Sequence, residues 1–178
     1  TGRLKELFVE GVPVLLLPAS NPERKTKYSL ICVRKKGLWV NVDSTAPNQV
    51  VEEMVREGRL FSDITYIKRE KTFGNSRFDL YLEHGGRKHY IEVKGVTLEV
   101  ARFPDAPTER GIKHIYELIE AKRQGYQASI IFIIQMKGVR AFGPNRKDHP
   151  DFAEALKAAK TAGVEILAFD CRVSEDCL

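Results

Sequence analysis

The residue types best suited to chemistry lie in one segment near the middle of the chain. Apolar residues alternate with polar ones over residues 76–83 and again over residues 88–94, with Gly85-Gly86 between them. This pattern predicts two half-buried strands joined by a tight turn. In that register Asp79 lies opposite Glu92, and a longer loop from 84 to 87 gives the same pairing. Lys94 follows Glu92 by two residues and is therefore expected on the same face.

Two opposed carboxylates on one face would repel each other, because their Cβ atoms are only about 4.5–5.5 Å apart. Either a positive group lies between Asp79 and Glu92, or one carboxyl group stays protonated. Lys94 can supply part of that charge, and a divalent cation the rest. Oxygen ligands favour Mg2+ or Mn2+ over zinc. Such a site could polarise a phosphodiester and activate water. The alternative is a solvated charge ladder, since Glu-x-Lys is common on exposed strands.

The elements that must position these residues can be read from apolar periodicity and from capping signals. After residue 44 the predicted elements are a helix from Ser44 or Thr45 to Gly58, a strand at 64–68, the two hairpin strands, a helix from Thr108 to Gln124, a strand at 129–135, a helix from Pro150 to Gly163 and a strand at 164–169. This order predicts an α/β (α+β) fold with a mixed sheet flanked by helices. The uninterrupted apolar run at 129–135 predicts a strand that is buried on both faces.

Residues 1–43 have a different sequence pattern, which predicts a small barrel or sheet with basic loops. Three short apolar stretches, at 12–17, 28–33 and 38–42, are separated by turn residues. We place the domain boundary near 41–46, giving domains at 1–43 and 44–178. The first 44 residues carry 8 of the 29 basic and 4 of the 24 acidic side chains, hence most of the net charge of +5. The loop residues that this surplus suggests for polyanion binding are Arg24, Lys25, Lys27, Lys35 and Lys36.

Composition excludes several classes of protein. An apolar content of 43% over 178 residues is enough for a core and excludes a wholly disordered chain. The longest apolar run, at 130–134, is too short to span a bilayer. Three cysteines without metal-ligand spacing argue against a disulfide framework and favour a reducing compartment, the cytoplasm. Because the chain opens on Thr1-Gly2 rather than Met, we expect that an N-terminal piece is missing.

Several strings resemble the sugar fermentation stimulation protein A (SfsA) family, and Asp79 with Glu92-x-Lys94 resembles the PD-(D/E)XK nuclease-like superfamily. The strings are Thr1-Gly2-Arg3-Leu4, Ser76-Arg77-Phe78-Asp79, Tyr90-Ile91-Glu92-Val93-Lys94-Gly95-Val96-Thr97-Leu98, Phe103-Pro104-Asp105-Ala106 and Thr108-Glu109-Arg110-Gly111. The resemblance implies an N-terminal OB-like β-barrel, a nuclease-like domain, DNA binding and a link to regulation of sugar metabolism. It also implies that Asp79, Glu92 and Lys94 occupy the metal and catalytic positions. Family members carry further strands before the Thr1 string, so the barrel is expected to be incomplete here.

The resemblance extends to the two helices beside the hairpin. Related nucleases often take a third metal-binding carboxylate from the first helix, where Glu53 is the better match and Glu52 the alternative. On the second helix Arg110 and Lys113 are candidates for phosphate binding. His114 is a candidate for phosphate, for a bond to Glu117, or for a structural role. Two hypotheses follow: a DNA-binding protein with a Mg2+- or Mn2+-dependent nuclease-like site, or a DNA-binding regulator that keeps the scaffold without cleavage. Whether the chain forms a homo-oligomer stays open.

Overall fold

A computed structural model describes residues 4–21, 23–97, 102–104, 106, 108–139 and 141–175. Residues 1–3, Leu98 and Asp105 of the family strings lie outside these ranges. After a 3-10 turn at Leu4–Glu6, the elements in chain order are β1 (Val14–Pro18), β2 (Tyr28–Lys35), β3 (Leu38–Asn41), α1 (Ala46–Arg56), β4 (Ile64–Phe73), β5 (Ser76–His84), β6 (Arg87–Val96), β7 (Arg102–Phe103), α2 (Glu109–Arg123), β8 (Gln127–Ile134), β9 (Gly143–Pro144), α3 (Pro150–Thr161) and β10 (Glu165–Asp170).

The first three strands form an antiparallel sheet in the order β1-β2-β3. They coincide with the three apolar stretches, so that part of the prediction is confirmed. Val33 and Val40 bury their side chains in the same apolar cluster as the second and third helices. This small sheet therefore packs directly against the rest of the fold. The short strands β7 and β9 pair with each other.

The three predicted helices are confirmed within one or two residues of their ends. The α2 helix has the expected N-cap, because the Thr108 hydroxyl accepts from the Gly111 N–H at 3.0 Å. The α1 helix differs: Thr45 occupies the N-cap position, but its hydroxyl donates to Asp43 instead of capping the helix. Gly125 and Gly163 follow α2 and α3 with positive φ angles, as helix-ending glycines do.

The larger sheet has five strands in the order β10-β8-β6-β5-β4. Neighbours among β6, β8 and β10 run parallel, whereas β4 and β5 are antiparallel additions, so the predicted mixed sheet is confirmed. One face is covered by α2 and α3 and the other by α1. Strand β8 is buried on both faces, as its apolar run predicts. Strand β4 extends five residues beyond the predicted 64–68, to Phe73.

The register predicted for the β5–β6 hairpin is confirmed from Leu80–Ile91 to His84–Arg87. Gly85 and Gly86 have φ angles of +52° and +72°, and positive φ at both central residues defines a type I′ turn. The pairs that the structure shows stop short of Asp79. On the other side of β5 the pairing also skips Asp79, and Glu70, which would lie opposite, has a φ of +54°. The sheet is therefore irregular on both sides of this one residue.

The irregularity changes which face the preceding residue occupies. Leu80 and Leu82 pack with Val51 on the α1 face, as their alternation predicts. Phe78 was expected on that same face, and this expectation is wrong. Its ring packs against Tyr90 and His114 on the α2 face instead, at centroid distances of 5.8 Å. Because a break in pairing lets a strand turn, side chains before and after Asp79 no longer share one alternation.

The end of β8 joins the two sheets to the first helix. The Gln135 amide donates to the Asn41 side-chain oxygen and to the Asp43 carbonyl, both at 3.0 Å, while its own carbonyl accepts from the Asn41 N–H. Gly95 of β6 lies against this junction. A Cβ added to Gly95 would come within 2.5 Å of the Gln135 side-chain oxygen and 2.9 Å of the Pro47 ring. The absence of a side chain at 95 therefore lets β6, Gln135 and α1 meet.

We predict that Gly95→Ala destabilises the protein by about 1–3 kcal/mol, because the added methyl group must displace Gln135 and Pro47. Chemical denaturation followed by circular dichroism would measure the change in unfolding free energy. Gly143→Ala is the matched control, since a Cβ there meets no atom of the described residues within 4 Å. Equal stability of the two variants would contradict the prediction.

Candidate functional site

A cavity of about 270 Å3 lies where β5 and β6 stop pairing. Strand β5 contributes Asp79, and β6 contributes Glu92 and Lys94. The first turn of α1, with Asn48, and the first two turns of α2, with His114, close the other sides. Helix N-termini carry a partial positive charge from their free backbone N–H groups, so the surroundings favour anionic groups.

Asp79 is half-buried and is held by two donors. Its Oδ1 accepts from the Asn48 amide at 3.0 Å, and its Oδ2 accepts from the Val93 N–H at 2.8 Å. The carboxylate thus takes a backbone N–H of β6 where the strand pairing has stopped. Burial raises the pKa of Asp79, and the nearby Glu92 charge adds to this; the bonds from Val93 and Asn48 and the Lys94 charge offset only part of the increase.

Glu92 is the most deeply buried acid of the site, with 2% of the residue exposed. Its Oε1 accepts from Lys94 Nζ and from His114 Nδ1, the latter at 2.7 Å. Burial alone would raise the pKa of Glu92, but the His114 hydrogen bond and the Lys94 ammonium outweigh burial and hold that pKa below its ordinary value. The second oxygen, Oε2, is buried and has no hydrogen-bond partner among the described residues.

His114 links this pair to the second helix. Arg110 Nε approaches His114 Nε2 at 3.4 Å, and since an arginine can only donate, Nε2 acts as the acceptor. Nδ1 then carries the proton and donates to Glu92. Of the alternatives raised by the sequence, a bond to Glu117 is not what the structure shows: the carboxylate that His114 bonds is that of Glu92. Only 5% of His114 is exposed.

Seven site residues were predicted on the hairpin and on the two helices beside it, and the structure brings five of them together. Asp79, Glu92, Lys94, Arg110 and His114 all line the 270 Å3 cavity. The predicted proximity of the carboxylates is observed, although Asp79 reaches the β6 backbone rather than lying in a regular opposed pair.

The other two residues predicted on these helices, Lys113 and Glu53, lie outside the cavity. Lys113 is exposed, donates to the Asn75 carbonyl at 3.1 Å and lines a neighbouring cavity of about 550 Å3 together with Arg77. Glu53 is exposed on α1, and Glu52 instead pairs with Arg56 and Arg69. The α1 residue that reaches the acids is Asn48, which the sequence analysis missed.

No sequence signal singled out Asn48, because an amide in a first helical turn is ordinarily a capping or solvent-exposed group. Only knowledge that α1 begins beside Asp79 would have selected it. Its role depends on the tertiary placement of Pro47 and the helix start, not on a local motif.

The basic residues predicted for the N-terminal sheet lie in its connecting loops or, for Lys35, at the end of a strand. Arg24, Lys25 and Lys27 are exposed between β1 and β2, and Arg24 donates to the Ser29 hydroxyl at 2.7 Å. Lys35 ends β2, and Lys36 lies in the turn that leads to β3. The predicted location in loops is confirmed for Arg24, Lys25, Lys27 and Lys36, whereas Lys35 belongs to a strand, and the role of all five in binding stays a prediction.

Within the described residues, no group of three or more His, Cys, Asp or Glu side chains is arranged to hold a metal ion. A cation could be coordinated by the unpartnered Oε2 of Glu92 and by the remaining lone pairs of the Asp79 oxygens. Carboxylate oxygens are hard ligands, and Mg2+ is commonly held by one or two carboxylates with water and substrate completing its shell. The donor set therefore fits a hard divalent cation.

Fold and site together define an α+β protein with a small antiparallel sheet and a five-stranded mixed sheet, in which a buried glutamate bonded to a lysine and a histidine lines one cavity with a half-buried aspartate. The family model described as the sugar fermentation stimulation protein RE domain matches residues 45–177, and the SfsA N-terminal OB domain matches residues 1–42. The chain belongs to the SfsA family.

Relatives agree with that assignment. Sugar fermentation stimulation protein homologs from Desulfitobacterium hafniense and Clostridium tetani are 53% and 52% identical to the chain, over 100% and 99% of its length and 79% of theirs. A solved structure of SfsA from Pyrococcus furiosus in complex with Ca2+ superposes with a TM-score of 0.87 at 33% identity. That match covers 97% of this chain and 77% of the other. None of the described helices is both long and apolar enough to cross a membrane.

We predict that neutralising the two acids has opposite effects on stability near pH 7 in the presence of EDTA. The raised pKa of Asp79 means that ionising it opposes folding as the pH rises through that pKa, so Asp79→Asn should raise the melting temperature. The lowered pKa of Glu92 stabilises the fold above its unfolded pKa, and that stability is lost as the pH falls through the folded value. Glu92→Gln should therefore lower the melting temperature.

Melting temperatures of both variants and wild type, measured from pH 8 to pH 4, would check the pair. The Asp79 difference should shrink as the pH falls through the raised pKa of that group, whereas the Glu92 difference should persist until the pH falls below the ordinary glutamate pKa. Shifts of the same sign at neutral pH would contradict the electrostatic account of the site.

Proposed function

We propose that this protein binds DNA and hydrolyses phosphodiester bonds with Mg2+ or Mn2+ at Asp79 and Glu92. The observation that carries the proposal is the buried, unpartnered Oε2 of Glu92, a residue that lines the same cavity as Asp79 and Lys94. A buried polar atom without a partner is unfavourable, and a bound water or cation can supply the missing bond.

The cation would be held by Glu92 Oε2 and by the Asp79 lone pairs that Asn48 and Val93 leave free. When bound, a divalent ion supplies Lewis-acid polarisation of the phosphodiester and neutralises developing negative charge. Ca2+ in the 33% identical Pyrococcus furiosus structure supports a preference for hard cations in this family.

The chain's own residues supply positioning and charge. Lys94 keeps about a fifth of its side chain exposed while bonded to Glu92, so its ammonium can turn from the acid to a substrate oxygen. Arg110 lines the same cavity, and its guanidinium offers planar donors that suit a phosphate. The first turns of α1 and α2 add backbone N–H groups on the same side. Together these groups favour a negatively charged transition state over the less charged ground state.

DNA affinity would come largely from the loops of the N-terminal sheet. Cationic side chains bind nucleic acid by displacing counterions from phosphates, without reading sequence. Arg24, Lys25 and Lys27 are exposed in one such loop, and Lys35 and Lys36 flank the next turn. Arg110 and Lys113 extend the basic surface beside the cavity.

The second candidate function is a DNA-binding regulator that keeps the nuclease scaffold without cleavage. The observation that favours it is the concentration of the basic surplus in the N-terminal sheet, where it can bind phosphates without any metal chemistry. A regulator also agrees with a family named for sugar fermentation. The two candidates differ in one measurable property, namely whether the carboxylate pair is needed for a change in the DNA.

We predict that the purified protein cleaves plasmid or branched DNA when Mg2+ or Mn2+ is present and not when EDTA is added. Glu92→Ala and Lys94→Ala should each lower the cleavage rate by about 100-fold or more, because each removes charge from the reacting centre. Gel electrophoresis of the products over time measures the rate.

Glu154→Gln is the matched control, since it neutralises an exposed acid on α3 that lies outside the cavity. Equal absence of cleavage by wild type and Glu92→Ala across both metals would defeat the enzymatic proposal. The non-catalytic regulator would then be the better interpretation.

We predict that charge reversal at Lys25, Lys27, Lys35 and Lys36 weakens DNA binding to about the same extent for every sequence tested. The slope of log affinity against log salt should fall by about 0.9 for each phosphate that the variant no longer neutralises. Fluorescence anisotropy over a range of salt concentrations measures both quantities. Charge reversal at the exposed Lys157 and Lys160 of α3 is the control. An unchanged slope in the loop variant would exclude these loops as the DNA-binding surface.

A further inference from the structure

The two oxygens of the Glu92 carboxylate have very different surroundings. Oε1 accepts two hydrogen bonds, one from Lys94 and one from His114, whereas Oε2 has none among the described residues. A glutamate has three side-chain torsions, so a carboxylate that is only loosely held would exchange its oxygens by rotation. In this protein both donors lie on one side of the group, which leaves the other oxygen for a ligand.

We infer that His114 is a positioning residue, whose Nδ1–H fixes Glu92 so that Oε2 is presented to a divalent cation. The inference rests on the proposed function, because it assumes that the carboxylate pair binds metal. It assigns His114 to the orientation of a carboxylate, a role that differs from binding the phosphate of DNA. Hydrogen-bond partners that orient metal ligands in this way contribute substantially to metal affinity.

His114 is better suited than Lys94 to hold Glu92 permanently. The histidine is 5% exposed, and its ring packs edge-on against Phe78 at a centroid distance of 5.8 Å. Arg110 Nε lies at 3.4 Å from its second ring nitrogen, which favours the tautomer with the proton on Nδ1. Lys94 has a long, flexible stem and a more exposed side chain. A rigid donor keeps the carboxylate in place while the flexible one is free to move.

The different roles of His114 and Lys94 have a consequence for the reaction. If Lys94 were the sole donor, turning its ammonium toward a substrate would leave a buried Oε1 without any partner, which is costly. Because His114 remains bonded to Oε1, the Lys94 ammonium can move away from Glu92 without leaving that oxygen unpartnered. The histidine therefore permits one lysine to stabilise the free site and then to contact the substrate.

The test compares three substitutions at position 114 by their affinity for Mn2+, measured by isothermal titration calorimetry on EDTA-treated, dialysed protein. His114→Asn keeps a donor near the position of Nδ1, and we expect its dissociation constant to stay within about threefold of wild type. His114→Gln places its amide farther out, near Nε2, and His114→Phe has no donor. Both should weaken Mn2+ binding by about 10- to 100-fold, the range found when the outer partner of a metal ligand is removed.

The control variant is Glu92→Gln, which removes the charge of the ligand itself and should abolish measurable binding at this site. Melting temperatures identify any variant that fails to fold. If His114→Phe does not fold, the difference in Mn2+ affinity between His114→Asn and His114→Gln tests the inference. Equal affinity of all three variants and wild type would overturn the inference alone. Equal weakening of all three, Asn included, would also overturn it, because a structural role predicts that result. If wild type and Glu92→Gln both fail to bind Mn2+, the metal half of the proposed function fails as well.

Discussion

The burial of one ionised carboxylate, Glu92, is the constraint on which the rest of the site depends. A buried charge is very unfavourable unless it is paired and hydrogen-bonded, and among the described residues Glu92 meets this requirement through Lys94 on its own strand and His114 on α2. The helix must therefore dock with His114 inward, which fixes α2 against β6. Ile115 and Leu118 then carry that docking into the apolar core. The apolar packing and the one polar contact thus favour the same position of the helix.

Asp79 shows why the site lies at an irregularity in the sheet. A carboxylate between two regularly paired strands would have no N–H groups available, since ladder carbonyls use them. The pairing skips Asp79 on both sides, and the Val93 N–H becomes free to donate to it. The break thus provides a donor and opens the cavity in one step. Burial and the Glu92 charge still raise the pKa of Asp79, so these contacts hold the acid without fully compensating it.

Much of this fold could be predicted from the sequence, because its local signals agree with one another. The Gly85-Gly86 turn set the register of the hairpin, and Thr108 and Pro150 marked two helix starts. The position of Phe78 on the opposite face of the sheet from Leu80 could not be predicted, since strict alternation of side chains assumes an unbroken ladder of strand pairing. Nor could the partner of His114: its spacing to Glu117 within the helix is visible in the sequence, whereas its contact with Glu92 depends on how α2 docks on the sheet.

The electrostatics of the site distinguish its two acids. If the pair were a structural ion cluster, packing would be expected to satisfy every buried oxygen, as it does for most buried polar atoms. Instead both donors to Glu92 converge on one oxygen, and Asp79 ionises against an opposing environment. Each feature is unfavourable for the free protein. A cation bound between the carboxylates would make both less unfavourable. Two unfavourable features, the unpartnered Oε2 of Glu92 and the raised pKa of Asp79, that one bound cation would relieve are more consistent with a binding site than with a structural cluster.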